Sequence, residues 1–165
     1  MRYTMAYLFL VFLLQACALA EPTFAPIFND GAVLQCDMPV NIWGKADPGE
    51  TVTVSFGSQK KAAVANDSGK WLVVLDPMKP SVEPRAMTLS SSHHPIIQCS
   101  NLLVGEVWLA TGQSNMVMPL RNTFGGEERL GMTLPCIRFA RVPQQTGLPP
   151  RPFSAQQLAW ETFRP

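Results

Sequence analysis

Ser114 is the side chain in this sequence whose surroundings best fit covalent chemistry. It follows a Thr-Gly-Gln segment, directly after an apolar run that ends at Ala110. A serine that cleaves esters needs an exposed hydroxyl, a base that takes its proton, and donors that hold the developing oxyanion. A strand that turns sharply into a helix would expose the serine. Free N–H groups at the helix start would supply part of the oxyanion site.

A purely structural role for Ser114 is the alternative. Serine is a favoured helix N-cap, so the hydroxyl could simply satisfy backbone N–H groups. The segment also differs from the G-x-S-x-G elbow of α/β-hydrolases, because Met116 stands where the second glycine should be. The neighbours Gln113 and Asn115 could orient a substrate, or they could tie the turn together.

The elements before and after Ser114 predict where it lies. Residues 102–104 and 107–110 are almost continuously apolar, which is typical of a strand buried on both faces in a parallel sheet covered by helices. Gly112 permits a sharp turn, and Ser114 is expected at or near a helix N-terminus, although Pro119 constrains the backbone beyond it. Such a junction would place the serine beyond the carboxyl end of the strand, where α/β sheets bind ligands.

The preceding residues, 24–103, predict an all-β module. Apolar and polar side chains alternate along residues 51–56 and 71–75, so each run places its apolar side chains on one face. Turn-forming residues cluster at 47–49 and at 66–69. Several short strands separated by such turns predict a β-sandwich. Further strands are expected at residues 40–43, 60–65, 87–90 and 96–98.

The apolar and polar patterns that predict secondary structure weaken beyond Phe124. Residues 127–130 predict a helical turn at most, residues 137–142 alternate as a strand does, and residues 143–152 contain four prolines and predict an irregular connection. One strand and a fragment cannot close an α/β sheet. We therefore expect a β-sandwich module over residues 21–103, followed over residues 104–165 by the truncated start of an α/β domain.

The first twenty residues predict a secretory signal peptide. Arg2 precedes an apolar run from Ala6 to Leu14, and small residues stand at the −3 and −1 positions of a cut after Ala20. The run is too short to span a bilayer, which takes about 20 residues. A lipoprotein anchor at Cys17 is the alternative. The expected location is therefore outside the cell, in the periplasm, or in a lysosome-like compartment.

Charge and cysteine content argue against a nucleic-acid-binding protein and against a cysteine-based metal site. Removing residues 1–20 takes away one arginine and no acidic side chain, which leaves 12 basic and 12 acidic residues and no basic block for nucleic acid. Three cysteines remain, Cys36, Cys99 and Cys136, so at least one thiol is unpaired, and their spacing fits no metal motif. His93 and His94 are interpreted as a polar loop before a proline. No metal or other cofactor is expected.

Residues 105–116, with the sequence GEVWLATGQSNM, resemble the first catalytic block of the sialate O-acetylesterases, a branch of the SGNH hydrolases with a flavodoxin-like catalytic domain. The GQSNM core is quite specific. The resemblance covers nearly all of the chain after residue 20. It extends through residues 24–28, 31–35, 40–44, 47–50, 69–71, 137–139 and 142–143.

The resemblance implies that Ser114 is the nucleophile and that its backbone N–H is one oxyanion donor. In the family the other donors are a later glycine and a later asparagine, and the base is a later histidine. Nothing after Ser114 matches those blocks, and no histidine follows it. The implied substrate is O-acetylated sialic acid or another acetylated carbohydrate. The alternatives are a non-catalytic carbohydrate- or protein-binding β-sandwich, or a truncated, inactive gene product.

Overall fold

The computed structural model describes residues 21–143, 153–154 and 156–163. The expected signal peptide, Cys17 and nearly all of the expected proline-rich connection lie outside these residues. The regular structure of the described ranges is mostly β. Its strands are β1 (Thr23–Phe24), β2 (Val33–Gln35), β3 (Val40–Lys45), β4 (Thr51–Phe56), β5 (Gln59–Val64), β6 (Lys70–Leu75), β7 (Ser81–Ser91), β8 (Ile97–Gly105), β9 (Leu134–Ala140) and β10 (Trp160–Phe163).

The strands form three sheets. A three-stranded antiparallel sheet has the order β1-β3-β6, and a five-stranded sheet has the order β2-β8-β7-β4-β5. Within the larger sheet β2 pairs with β8 in parallel, and the other pairs are antiparallel. The strands β9 and β10 form a separate antiparallel hairpin. Three short 3-10 helices precede β9, at Ser114–Val117, Leu120–Asn122 and Glu127–Arg129.

The two larger sheets bury their apolar faces in one hydrophobic core. The predicted alternation is confirmed: β6 alternates between exposed and buried side chains along its whole length, and in β4 every second residue is buried. Burying each such valine, leucine or phenylalanine contributes about 1.5–3 kcal/mol. The core includes Ile42, Val52, Val54, Phe56, Trp71, Val73, Leu75, Met87, Leu89 and Leu102.

Two predicted turns close as expected. The Asn66 side-chain oxygen accepts hydrogen bonds from the backbone N–H of Ser68 at 3.0 Å and of Lys70 at 2.9 Å. Gly69 completes this turn with a φ of +71°, a conformation that favours glycine. The other turn is closed by the N–H of Glu50, which donates to the carbonyl oxygen of Asp47 at 3.0 Å.

The strand expected to continue to Ala110 ends earlier, at Gly105. Residues 102–104 are buried as expected, but residues 107–110 are exposed and irregular. The physical reason is pairing: β2 ends at Gln35, opposite Gly105, and the last β7 partner of β8 is Ser81, opposite Val104. An apolar run without neighbouring strands has no partners for its backbone groups. The parallel pairing that the sequence predicted occurs instead within the five-stranded β sheet.

The downstream predictions are confirmed in outline. The expected helical turn is the 3-10 helix Glu127–Arg129, and the expected strand overlaps β9. The sequence pattern gave no prediction of β10. No helix in the described part of the chain is long and apolar enough to cross a membrane.

Candidate active site

Ser114 is the first residue of a 3-10 helix, so the prediction that it lies at a helix start is confirmed, although the helix is a short one. The helix spans Ser114–Val117, and Gln113 occupies the N-cap position without a side-chain capping hydrogen bond. Ser114 is therefore not the cap that the structural alternative required. Its side chain is exposed, and its hydroxyl has no hydrogen-bond partner among the described residues. The hydroxyl is accessible to a substrate and to a base.

The backbone around Ser114 presents unbonded donors. The carbonyl oxygen of Gln113 accepts from the N–H of Met116 at 2.9 Å, and that of Asn115 accepts from the N–H of Met118 at 3.2 Å. Within the described ranges, the N–H groups of Ser114 and Asn115 have no acceptor. A helix start leaves such donors free, and they can hydrogen-bond an oxygen that gains negative charge.

Gly112 allows the turn to fold tightly before the serine. A Cβ atom at this position would lie 2.9 Å from Cγ of Met116 and 3.5 Å from its sulfur. The Met116 side chain therefore folds back over the glycine. This close approach explains why glycine suits the position, as the sequence analysis expected of a sharp turn.

Gln35 anchors the segment that leads from β8 to Ser114. Its side-chain oxygen accepts from the N–H of Val107 at 2.9 Å, and its Nε2 donates to Oε2 of Glu106 at 3.3 Å. Oε1 of Glu106 in turn lies 3.6 Å from the Cys36 sulfur. Burial, followed by the negative charge of Glu106, raises the pKa of the Cys36 thiol above its ordinary value. Cys36 is thus a neutral, buried group at this anchor.

Ser114 lines an open groove of about 2210 Å³, which we call the Ser114 groove. Two of the large apolar side chains that line it are strongly exposed, Trp108 at 85% and Leu109 at 86%. No histidine is among the described lining residues. The groove therefore offers a nucleophile and several apolar side chains, but no histidine base among the described lining residues. Its lining includes Trp108, Gln113, Ser114, Met116, Arg138 and Phe139.

The flanking residues Gln113 and Asn115 are both exposed. Gln113 lines the Ser114 groove and Asn115 does not. Neither side chain hydrogen-bonds another described residue, so the interpretation that they tie the turn together finds no support. Their role in orienting a substrate stays a prediction.

His93 and His94 lie in the connection between β7 and β8, away from the Ser114 groove. They line a different depression, with the turn at residues 47–50. That connection precedes β8, whereas Ser114 follows it, and nine strand residues span roughly 26 Å. The structure agrees with the interpretation that neither histidine serves Ser114.

The β9–β10 hairpin is held against the β module by side chains that the sequence analysis did not single out. Arg138 donates through Nη1 to the Gly31 carbonyl oxygen at 2.8 Å and through Nη2 to the side-chain oxygen of Asn101 at 2.9 Å. The Trp160 indole N–H donates to the Ile27 carbonyl oxygen at 2.9 Å. Alternation alone gave no signal for these contacts, because each joins residues far apart in sequence.

The cysteines are free in the part of the chain that the structure describes. Cys36 and Cys99 are buried and Cys136 is exposed. The Cys99 thiol donates to the Phe28 carbonyl oxygen at 3.3 Å. Burial, with a smaller effect from Asp30, raises the pKa of Cys99 to about 11. The two buried thiols fit the expected role of small apolar fillers.

Comparison with known proteins relates this chain to acetylesterases. No protein-family model matches it. Over 120 residues, or 67% of the chain, it is 37% identical to sialate O-acetylesterases from Pongo abelii and Homo sapiens, and a relative from Mus musculus is equally similar. The aligned region makes up only about a quarter of these relatives, 23% of each of the first two.

A solved structure gives the same relationship. A carbohydrate acetylesterase from Xanthomonas citri superposes with a TM-score of 0.77 and 29% sequence identity, covering 86% of this chain and 32% of that one. The sequence and structure comparisons thus agree. Over two thirds of its length the chain is a relative of the sialate O-acetylesterases, which confirms the resemblance carried by its GQSNM segment.

Proposed function

We propose that this chain is part of a carbohydrate O-acetylesterase in which Ser114 is the nucleophile. The observation that carries the proposal is the position of Ser114, exposed at the first residue of a 3-10 helix with an unbonded hydroxyl. The relationship to sialate O-acetylesterases supports it. So does the structural similarity to a carbohydrate acetylesterase.

The reaction would proceed in two steps. The Ser114 oxygen attacks the acetyl carbonyl carbon while a base takes the hydroxyl proton, and the sugar oxygen then leaves with a proton, which gives an acetyl-enzyme. Water attacks the acetyl-enzyme, and acetate leaves as the serine oxygen is reprotonated. In both steps the Ser114 N–H would donate to the oxyanion. O-acetylated sialic acids or other acetylated sugars are the proposed substrates, and no cofactor is required.

The proposed architecture is a β-sandwich over residues 21–103 and the beginning of an SGNH-type esterase domain over residues 104–165. The base and the remaining oxyanion donors would come from a histidine, a glycine and an asparagine outside these 165 residues. The strong exposure of Trp108 and Leu109, which line the same groove, supports this arrangement, because large apolar side chains exposed together usually pack against protein.

We also propose that the protein is exported and that its mature form begins at Glu21, after cleavage at the Ala18-Leu19-Ala20 site. N-terminal sequencing of the exported protein tests this. A mature chain that begins at a lipid-modified Cys17 would contradict it.

The test of the nucleophile compares Ser114→Ala with Ser58→Ala, a matched change at an exposed turn serine. Both are made in the protein that contains the complete catalytic domain and are assayed with an O-acetylated sialic acid and p-nitrophenyl acetate. We expect Ser114→Ala to lose about 10³-fold or more of the kcat and Ser58→Ala to lose none. Retention of full activity by Ser114→Ala would overturn the assignment.

The same assay on residues 21–165 alone should give no turnover above that of the Ser114→Ala variant of this segment. A serine without a base attacks poorly, and each missing oxyanion donor costs about 10²–10³ in rate. Turnover that depends on Ser114 in the segment alone would show that the described residues supply a base.

A further inference from the structure

A cluster of potential metal ligands lies away from the Ser114 groove. Asp47 and Glu50 belong to the turn between β3 and β4, and His94 belongs to the connection between β7 and β8. One ligand atom from each lies within 4.8 Å of those from the other two. The sheet brings them together. Val52 of β4 pairs with Ser91 of β7, so the start of β4 and the end of β7 are neighbours in the sheet.

Glu50 is the buried acidic side chain of this cluster. Its side chain is 5% exposed. One carboxylate oxygen, Oε2, accepts from the N–H of Asp47 at 3.1 Å. The other, Oε1, is buried and has no hydrogen-bond partner among the described residues. A buried carboxylate oxygen without a partner is costly, so the arrangement calls for a positive group at Oε1.

His94 likewise has a buried polar atom without a partner among the described residues, and this atom faces Glu50. Its side chain is 14% exposed, and its Nε2 atom is buried without a hydrogen-bond partner in the described part of the chain. Nε2 faces Oε1 of Glu50 at 3.9 Å, which is too long for a hydrogen bond. Two buried polar atoms thus point at each other across a gap.

We propose that Asp47, Glu50 and His94 bind a divalent transition-metal cation, for which Zn²⁺ is the suitable probe. One imidazole nitrogen and two carboxylates form a ligand set that zinc accepts, with bonds of about 2.0–2.2 Å. Two ligands at tetrahedral angles would then lie about 3.4 Å apart. The 3.9 Å gap between Nε2 and Oε1 needs only a small contraction. The cation would satisfy both orphaned atoms at once.

The site would act as a structural clip. It joins the turn at residues 47–50 to the connection at residues 92–94, which are more than 40 residues apart in sequence. The ligands follow no local spacing, so the sequence pattern alone does not predict a metal site here. Because this site and the Ser114 groove share no lining residue, the proposal is independent of the esterase assignment.

The experiment measures zinc binding to the full chain by isothermal titration calorimetry, in a Cys136→Ser background that removes the exposed thiol. Thermal unfolding is recorded with and without zinc. We expect saturable binding of one zinc ion per chain and an increase in Tm of several degrees, since a ligand that binds only the folded state stabilises it. Magnesium should give neither effect.

The variants His94→Gln and Glu50→Gln keep the size of the side chain and remove a ligand. Each should weaken zinc binding by more than about tenfold and abolish the Tm increase, and His93→Gln, at the exposed neighbouring histidine, should do neither. Circular dichroism without metal shows whether each variant is folded.

Two results would overturn the proposal. One is the absence of saturable zinc binding by the folded parent, which would leave Glu50 and His94 as a simple ion pair. The other is unchanged affinity in a folded His94→Gln or Glu50→Gln variant, which would place the zinc elsewhere.

Discussion

The Arg138 guanidinium donates two hydrogen bonds to Asn101, from Nη2 to the side-chain oxygen at 2.9 Å and from Nη1 to the backbone carbonyl oxygen. Asn101 has a φ of +61° and lies where β8 carries an extra residue relative to β7. Such a bulge turns backbone groups away from the regular ladder. The irregularity in β8 therefore provides the docking point for the β9–β10 hairpin.

Replacing Arg138 with glutamine should loosen the hairpin, because three hydrogen bonds from a charged donor are lost. We expect a decrease of about 1–3 kcal/mol in the free energy of unfolding. Relative to the parent, the variant should show a larger increase in the rate of amide hydrogen exchange in β9 and β10 than in β4. Urea denaturation and exchange measurements check this, with Arg129→Gln at an exposed position as the control. Equal protection in the variant and the parent would show that the hairpin does not depend on Arg138.

Gly44 should not tolerate a side chain. A Cβ atom there would overlap the carbonyl oxygen of Thr23 and come within 2.6 Å of Trp71 Cζ2, so β1 would have to move off β3. We expect Gly44→Ala to destabilise the fold by about 3 kcal/mol or more. Gly131→Ala, where nothing lies within 4 Å of the added Cβ, should change stability by less than about 0.5 kcal/mol. Chemical denaturation measures both, and similar midpoints for the two variants would contradict this packing of β1 on β3.

The cysteines should differ sharply in reactivity. The pKa of Cys99 is raised to about 11, so at pH 8 only about one thiol in a thousand is ionised, and its side chain is also buried. Cys136 is exposed. Iodoacetamide at pH 8 should therefore label Cys136 first, and Cys36 and Cys99 only after unfolding. Peptide mass spectrometry identifies the sites, with Cys136→Ser as the control. Rapid labelling of Cys99 in the folded protein would be inconsistent with its burial.

The raised pKa of Cys99 also gives stability a pH dependence. Because the folded state favours the neutral thiol, this contribution is complete below about pH 9, the ordinary value, and is lost as the pH rises toward 11. The free energy of unfolding should therefore fall over this range, and the decrease should be smaller in Cys99→Ala. An equal decrease in both proteins would assign the effect to other groups.

Local features of this protein can be read from its amino-acid sequence. Alternation along residues 51–56 and 71–75 indicated strands, because a pleated strand with one buried face repeats every two residues. The turn at Asn66–Gly69 was readable because asparagine and glycine close turns through local bonds. The GQSNM segment pointed to Ser114 and to the acetylesterases.

The point at which the apolar run after Leu102 stops being a strand depends instead on the packed fold. Hydrophobicity continues to Ala110, but β2 ends opposite Gly105 and the pairing with β7 ends at Val104. Backbone pairing depends on these neighbouring strands rather than on the apolar run itself. The same reason applies to the Arg138–Asn101 contact and to the meeting of Glu50 with His94. Each joins residues distant in sequence, so no local pattern encodes it, and only the register of the sheets brings the partners together.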